Sequence, residues 1–409
     1  MNRKHVLVWA LYDFANSVYP AVITVTVFSV YFANVIVGNE TGRGDLWWGR
    51  VVSMSMLFVA VSSPFLGSIA DRAGVRKRML VLYTAICIGC VALFPTIHPG
   101  MVGWGFVLAV LANIGFEGAL VYYNAYLPEI APRERQGFVS GLGYALGYAG
   151  SAVGILAVLP LVKGEHFGWT WITVAALFAL FALPSLWGLP ADRPGPRTVP
   201  QAAWEGVAGF RRLAGDVWKV QPLRRFLLAY FVYIDGVNTT IYFSSLFAAK
   251  TLGFSHEELI LLFLVVQISA LVGSVVFARP TDAWGPKRVI TLSLVFWTGI
   301  AVSAFFVQTK PVFFAIAVFA GTGLGVVQAA SRAFMAALIP RGKEAEMFGF
   351  YAFCGKSSSV IGPLVFGTVS YALGGNQRLA VLSVAAFFLA GLALLRGVAA
   401  PDAEGPRAA

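Results

Sequence analysis

The chain has 409 residues, 58% of them hydrophobic and only 12% charged, with a mean hydropathy of +0.76. A soluble domain carries about 25% charged residues. Half that share at this apolar content excludes a water-soluble globule and points to an integral membrane protein. The formal charge of +11 is not a nucleic-acid signal, because the bases are sorted by loop rather than gathered in a patch.

A bilayer core about 30 Å thick takes roughly 20 helical residues at about 1.5 Å each. By that measure the sequence predicts twelve apolar spans, near 6–36, 47–70, 79–98, 102–127, 138–162, 168–189, 223–249, 257–278, 289–308, 311–337, 347–374 and 377–397. These runs are too long and uniform for barrel strands, which alternate over about ten residues. The first follows MNRKH and is too long, and too polar at its centre, for a cleaved leader. With the N-terminus inside, 22 of the 30 Lys and Arg fall in loops on its side, and six on the other: Arg43, Arg50, Lys163, Lys250, Lys310 and Arg378. Arg332 and Lys356 lie within spans. This bias predicts a cytoplasmic-membrane protein with both termini cytoplasmic. Cys87, Cys90 and Cys354 sit in apolar spans, so the CxxC spacing of the first two implies neither a disulfide framework nor a metal site.

The longest polar stretch parts the sixth span from the seventh. It opens with PADRPGPRTVP and continues as AAWEGVAGFRRLAGDVWKVQPLRRF. There Trp204, Val207, Phe210, Leu213, Val217 and Trp218 recur near helical spacing among bases. Two readings stay open, a helix lying on the cytoplasmic membrane surface and a plain connector. The expected organisation is an all-α membrane protein of two six-helix bundles, 1–189 and 223–400. A cytoplasmic linker, 190–222, joins them, and 401–409 is a disordered tail.

The two halves repeat one another. Asp71, Gly74, Arg76 and Lys77 in GSIADRAGVRKR correspond to Asp282, Gly285, Lys287 and Arg288 in ARPTDAWGPKR. DFANS corresponds to DGVNT. Gly115, Pro132, Gly141, Gly147 and Gly154 match Gly323, Pro340, Gly349, Gly355 and Gly362, all offset by 208. Duplicated six-helix halves are the architecture of a secondary transporter whose site lies between them. Residues 67–78 resemble the loop signature of the major facilitator superfamily, with Val75 standing where a base is usual. The copy at 278–288 has Ala278 for the leading glycine and lacks the arginine that follows the first copy's aspartate. Within that superfamily, YDFANSVY resembles the opening of the autophagy-related vacuolar amino-acid effluxers and their bacterial UMF-type relatives. The resemblance implies that spans one, four, seven and ten line a central cavity. It also implies that Asp71, Arg72, Gly74, Arg76 and Lys77, with Asp282, Gly285, Lys287 and Arg288, close the cytoplasmic side, Asp71 meeting the N-terminus of span eleven.

An ionisable group at mid-bilayer costs at least about 2.5–3.5 kcal/mol, so it reads as functional by default. Counting from flanking cytoplasmic markers places Asp13, Glu117, Asp235, Arg332 and Lys356 about 12–17 Å deep, on one level. Stripes accompany them: Asn16, Ser17 and Thr24 with Asp13; Asn113 and Asn124 with Glu117; Asn238, Thr239 and Tyr242 with Asp235; Gln328 with Arg332. Such stripes suit a water-lined cavity, although ion pairs that merely hold helices together, Asp235 with Arg332 for example, would also explain the charges. Tyr12, Tyr19, Tyr122 and Tyr123 read as packing or interface residues. Gly143, Gly147, Gly150 and Gly154 form one small face on the fifth span, for close helix approach.

Three acids and two bases at one depth suit a zwitterionic solute. The resulting expectation is a secondary transporter of a small polar, amino-acid-like solute, an exporter by the resemblance, working by alternating access. Asp13, Glu117 and Asp235 are the candidates for a coupling proton. It is expected to be a monomer in the lipid bilayer, without metal, cofactor or nucleic acid, and not an enzyme. No GxxxxGK[ST] stretch or nucleophile–base constellation is present in the sequence. The rival readings are an amphiphile, lipid or drug exporter of the same fold, and a non-transporting membrane sensor or scaffold.

Overall fold

The computed structural model describes residues 1–38, 43–205, 215, 219–358, 361–372 and 377–399. The supposed tail 401–409 and most of the proposed surface helix, 206–214 and 216–218, lie outside the described residues. The architecture is helical. In chain order the long helices are α1 (Arg3–Tyr19), α2 (Arg43–Ala73), α3 (Arg76–Ala92), α4 (Val102–Ala125), α5 (Gln136–Lys163), α6 (Phe167–Gly188) and α7 (Gln221–Leu252). There follow α8 (His256–Trp284), α9 (Pro286–Phe306), α10 (Lys310–Leu338), α11 (Glu344–Ser358), α12 (Ile361–Ala372) and α13 (Gln377–Arg396). Among the described residues, ten helical segments are long and apolar enough to cross a membrane. The expected seventh span is the 32-residue α7, and the eleventh is carried by α11 and α12 together.

Local chemistry sets the ends. Asn2 caps α1, its side chain accepting from the Lys4 N–H at 3.0 Å. Pro20 has no N–H to donate, and from it the backbone widens into π-helical turns over Pro20–Thr26 and again over Phe32–Val37. The whole first span thus runs Arg3–Val37. Ser255 and Glu258 form a reciprocal capping box at the start of α8. Outside the apolar segment, the Glu258 carboxyl is held below its ordinary value, chiefly by a hydrogen bond from Lys310. Gly74 and Gly285, at φ +66° and +83°, make the tight turns after α2 and α8.

The chain forms two compact units. One comprises Met1–Ile130, Leu146–Val207 and Gly342–Ala352, the other Ala131–Ala145, Ala208–Arg341 and Phe353–Ala409. In the first, Trp9 is fully buried, stacked on Tyr123 at 4.6 Å and donating its indole N–H to the Tyr123 carbonyl. Tyr12 stacks on the same ring and shares a 2.6 Å hydrogen bond with Thr84. Tyr12, Tyr19, Tyr122 and Tyr123 are all buried. In the second, Tyr233 bonds Ser331 at 2.7 Å, and Trp297 packs on Phe388. Outward-facing positions are apolar instead: Leu57, Val61 and Phe306 are more than 60% exposed, an arrangement suited to lipid rather than water.

Candidate functional site

Each unit buries a polar group set in its apolar helices. In the first unit Asp13 and Asn16 are buried on α1, with Ser17 half-buried beside them. They are reached closely by α5 because that helix presents glycines to them. A Cβ on Gly147 would come within 2.8 Å of Ser17 Oγ, and one on Gly154 within 2.8 Å of Val18 Cγ1; Gly150 abuts the Phe14 backbone. Ser151 Oγ donates to the Ser17 carbonyl at 3.2 Å, and Ser17 Oγ donates to Asn16 Oδ1 at 3.3 Å. Asn16 Nδ2 is buried with no hydrogen-bond acceptor among the described residues. On α4, Asn113 and Glu117 are buried and Asn124 is half-buried. The Asn113 amide donates to Ser55 Oγ at 2.6 Å. Tyr19 meets Phe116 at 5.1 Å, joining α1 to α4 beside Glu117.

In the second unit Asp235 and Thr239 are almost wholly buried on α7, with Asn238 half-buried. Asp235 Oδ2 accepts the Gly362 N–H at 2.7 Å in the first turn of α12, where free amides attract a carboxylate. Asp235 Oδ1 and Thr239 Oγ1 have no hydrogen-bond partner among the described residues. Both oxygens crowd the Cα of Gly362, so that a side chain there would collide with them. Arg332 on α10 is 2% exposed. Its Nε donates to Ser140 Oγ at 3.0 Å, a terminal nitrogen donates to the Ser140 carbonyl at 2.7 Å, and the guanidinium lies 4.0 Å from the Tyr144 ring. Gln328, one turn earlier, and Lys356, in the last turn of α11, are half-buried.

The paired aspartates of the loop repeats sit within helices rather than loops, because α2 runs to Ala73 and α8 to Trp284. Asp71 accepts from the Ala345 and Glu346 N–H groups at 3.1 and 2.9 Å, at the start of α11, and from Arg76 at 3.0 Å. Arg76 also bridges to Glu344 at 2.9 Å and Glu129 at 3.1 Å. Asp282 repeats the motif at the start of α5, accepting from the Gly137 and Phe138 N–H groups at 2.7 and 3.0 Å. Lys77 donates to the Trp187 and Leu189 carbonyls at the C-terminal end of α6; Lys287 donates in the same way to the Arg396 and Val398 carbonyls at the end of α13. Arg72 pairs with Glu205 at 3.2 Å, and Arg288 lies in the first turn of α9. The glycines recur as well: Gly349 packs on the Ser63 backbone in one unit and Gly141 on Ser274 in the other.

Several partners carried no sequence signal. Ser140, Tyr144 and Ser55 are ordinary residues of apolar helices, and only packing reveals what they hold. Glu344 was more legible, as an acid in the first turn of a helix.

Duplicated helix-end contacts on a helical membrane chain define a transporter of the major facilitator superfamily, a class that moves small molecules and is not enzymatic. The structure superposes on the human organic anion transporter MFSD10 (TETRAN) with a TM-score of 0.79 at 15% identity, covering 96% of this chain and 99% of that one. The family described as "Vacuole effluxer Atg22 like" matches residues 50–404, and the chain belongs to it. An MFS-type transporter of Bacillus subtilis (strain 168), YxiO, is 30% identical over 95% of this chain and 93% of its own length. Autophagy-related protein 22 of Cryptococcus neoformans is 29% identical over 64% of this chain and 50% of its own.

Proposed function

We propose that this protein exports a small polar or zwitterionic solute, amino-acid-like in chemistry, by alternating access across the cytoplasmic membrane, as a monomer with both termini in the cytoplasm. The observation that carries this reading is unmet hydrogen-bonding capacity beside buried charge. Asn16 Nδ2 is an orphan donor, Asp235 Oδ1 an orphan acceptor, and the Thr239 hydroxyl is unmet both as donor and as acceptor. Buried polar groups are satisfied in more than about 90% of cases, so the orphan beside Asp13 in one unit and those at Asp235 and Thr239 in the other each mark a place for a polar ligand group. Within the second unit, an ammonium group suits Asp235 and Thr239, and a carboxylate suits Arg332 or Lys356. The effluxer description of the family supports export. Asp13, Glu117 and Asp235 remain the acids able to carry a coupling proton, and the Asp71 and Asp282 contacts are the closing elements of the cycle.

The purified protein in liposomes provides the test. Radiolabelled amino acids should exchange across the membrane, and an imposed pH gradient should drive their accumulation. Failure of all amino acids, with transport of amphiphilic dyes or lipids instead, would overturn the substrate assignment.

A further inference from the structure

The linker after α6 is built into the contact made by Asp71 and Arg76. Helix α3 begins with three bases, Arg76, Lys77 and Arg78, where the positive end of the helix dipole disfavours them, and Val75 provides no side-chain cap. The missing cap comes from far along the chain: Asp192 accepts the Lys77 and Arg78 N–H groups, 115 and 114 residues before it, at 2.6 and 3.1 Å. These are the second and third helical positions, the pair an N-cap oxygen ordinarily serves. The same segment completes the end of α2, with the Gly195 N–H on the Ala73 carbonyl at 3.2 Å and the Arg197 N–H on the Arg72 carbonyl at 3.3 Å. Gly74 and Gly195 allow this approach, since a Cβ on either would strike the opposite backbone. Beyond it, Ala202 is buried against Ile69, Ala73 and Val75, and Glu205 pairs with both Arg72 and Arg197.

We infer that residues 189–205 are a working part of the closing contact, with Asp192 the positioning residue that holds Arg76 where it bridges Asp71 and Glu344. This rests on reading the Asp71 contact as a closing element. The inference makes the linker a strap: withdrawing Asp192 uncaps α3, frees the Arg76 backbone and loosens the start of α11, which Asp192 does not touch.

Hydrogen–deuterium exchange on the full-length protein in lipid nanodiscs tests it. Asp192→Ala should speed exchange across residues 344–352 about fivefold, the factor carried by one lost cap. Asp192→Asn, which keeps one acceptor, should fall between it and the parent and serves if the alanine variant does not fold. Exchange in α13 should stay as in the parent. Asp71→Asn is measured alongside. If it speeds exchange only at Ala345 and Glu346, the closing reading itself fails. If it loosens all of 344–352 while both Asp192 variants leave that segment unchanged, the closing reading stands and the strap is refuted.

Discussion

Removing Arg332 separates a binding residue from a purely structural one. In Arg332→Ala two charge-assisted donations to Ser140 disappear, together with the cation–ring contact to Tyr144. Hydrogen bonds from charged donors contribute about 1.5–3 kcal/mol each, and a desolvated cation over an aromatic ring about 2. Against this, the variant no longer keeps a guanidinium out of water, a cost of several kcal/mol that the native contacts offset. The net loss of stability should therefore be modest, about 1–3 kcal/mol, and Ser140 Oγ keeps its 2.8 Å donation to the Ala329 carbonyl. Binding should suffer more. Truncating one partner of a buried charged pair costs about 2–5 kcal/mol, at least roughly 30-fold in affinity for a solute bearing a carboxylate. Tyr144→Leu is the comparison, since it removes the ring and leaves both hydrogen bonds. Reversible unfolding in denaturing detergent and equilibrium binding of labelled amino acids should be measured on the same preparations. An Arg332→Ala protein that binds as the parent does, yet unfolds several kcal/mol more easily, would show that the arginine only ties α10 to the start of α5.

Asp71→Asn should shift the conformational equilibrium about tenfold and Asp282→Asn less, because among the described residues Asp71, unlike Asp282, adds an ion pair, with Arg76, to its two backbone acceptances; state-selective cysteine labelling that ranks them oppositely would refute this order. Gly150→Leu should lower both expression and thermal stability, since α5 lies against the Phe14 backbone there; a parent-like melting curve would refute the close approach. For Asp13→Asn, retained solute exchange with lost pH-driven accumulation assigns the proton to Asp13, whereas loss of binding assigns the solute's amine; lower stability with unchanged transport per molecule leaves it a packing role. Reporters after Ala409 and at Arg193 should be cytoplasmic and one at Pro99 external, and an external Arg193 would overturn the proposed orientation.

The spans were legible because lipid imposes one requirement on every membrane helix, about 20 apolar residues with their backbone groups bonded internally. Hydropathy counted over the chain recovers that requirement without any knowledge of neighbours. The repeat was legible for a similar reason: turn glycines are demanded by local backbone geometry, so Gly74 recurs as Gly285, with Asp71 and Asp282 at the same spacing before them. The buried acids could be listed too, since a carboxylate inside an apolar run is conspicuous whatever surrounds it.

Partners were another matter. Nothing around Ser140 marks it as the acceptor for Arg332, and Asp192 reads as one more linker residue until α3 is found to need its carboxylate. The first span read as one apolar run, and hydropathy gave no sign that its backbone widens into π-helical turns from Pro20 and again from Phe32. Composition and periodicity thus determined the class of the chain, its spans and the inventory of polar residues, because desolvation acts on each residue separately. Tertiary structure alone decided which of those residues share a hydrogen bond, because a bond of about 3 Å between groups a hundred or more residues apart depends on how whole helices pack.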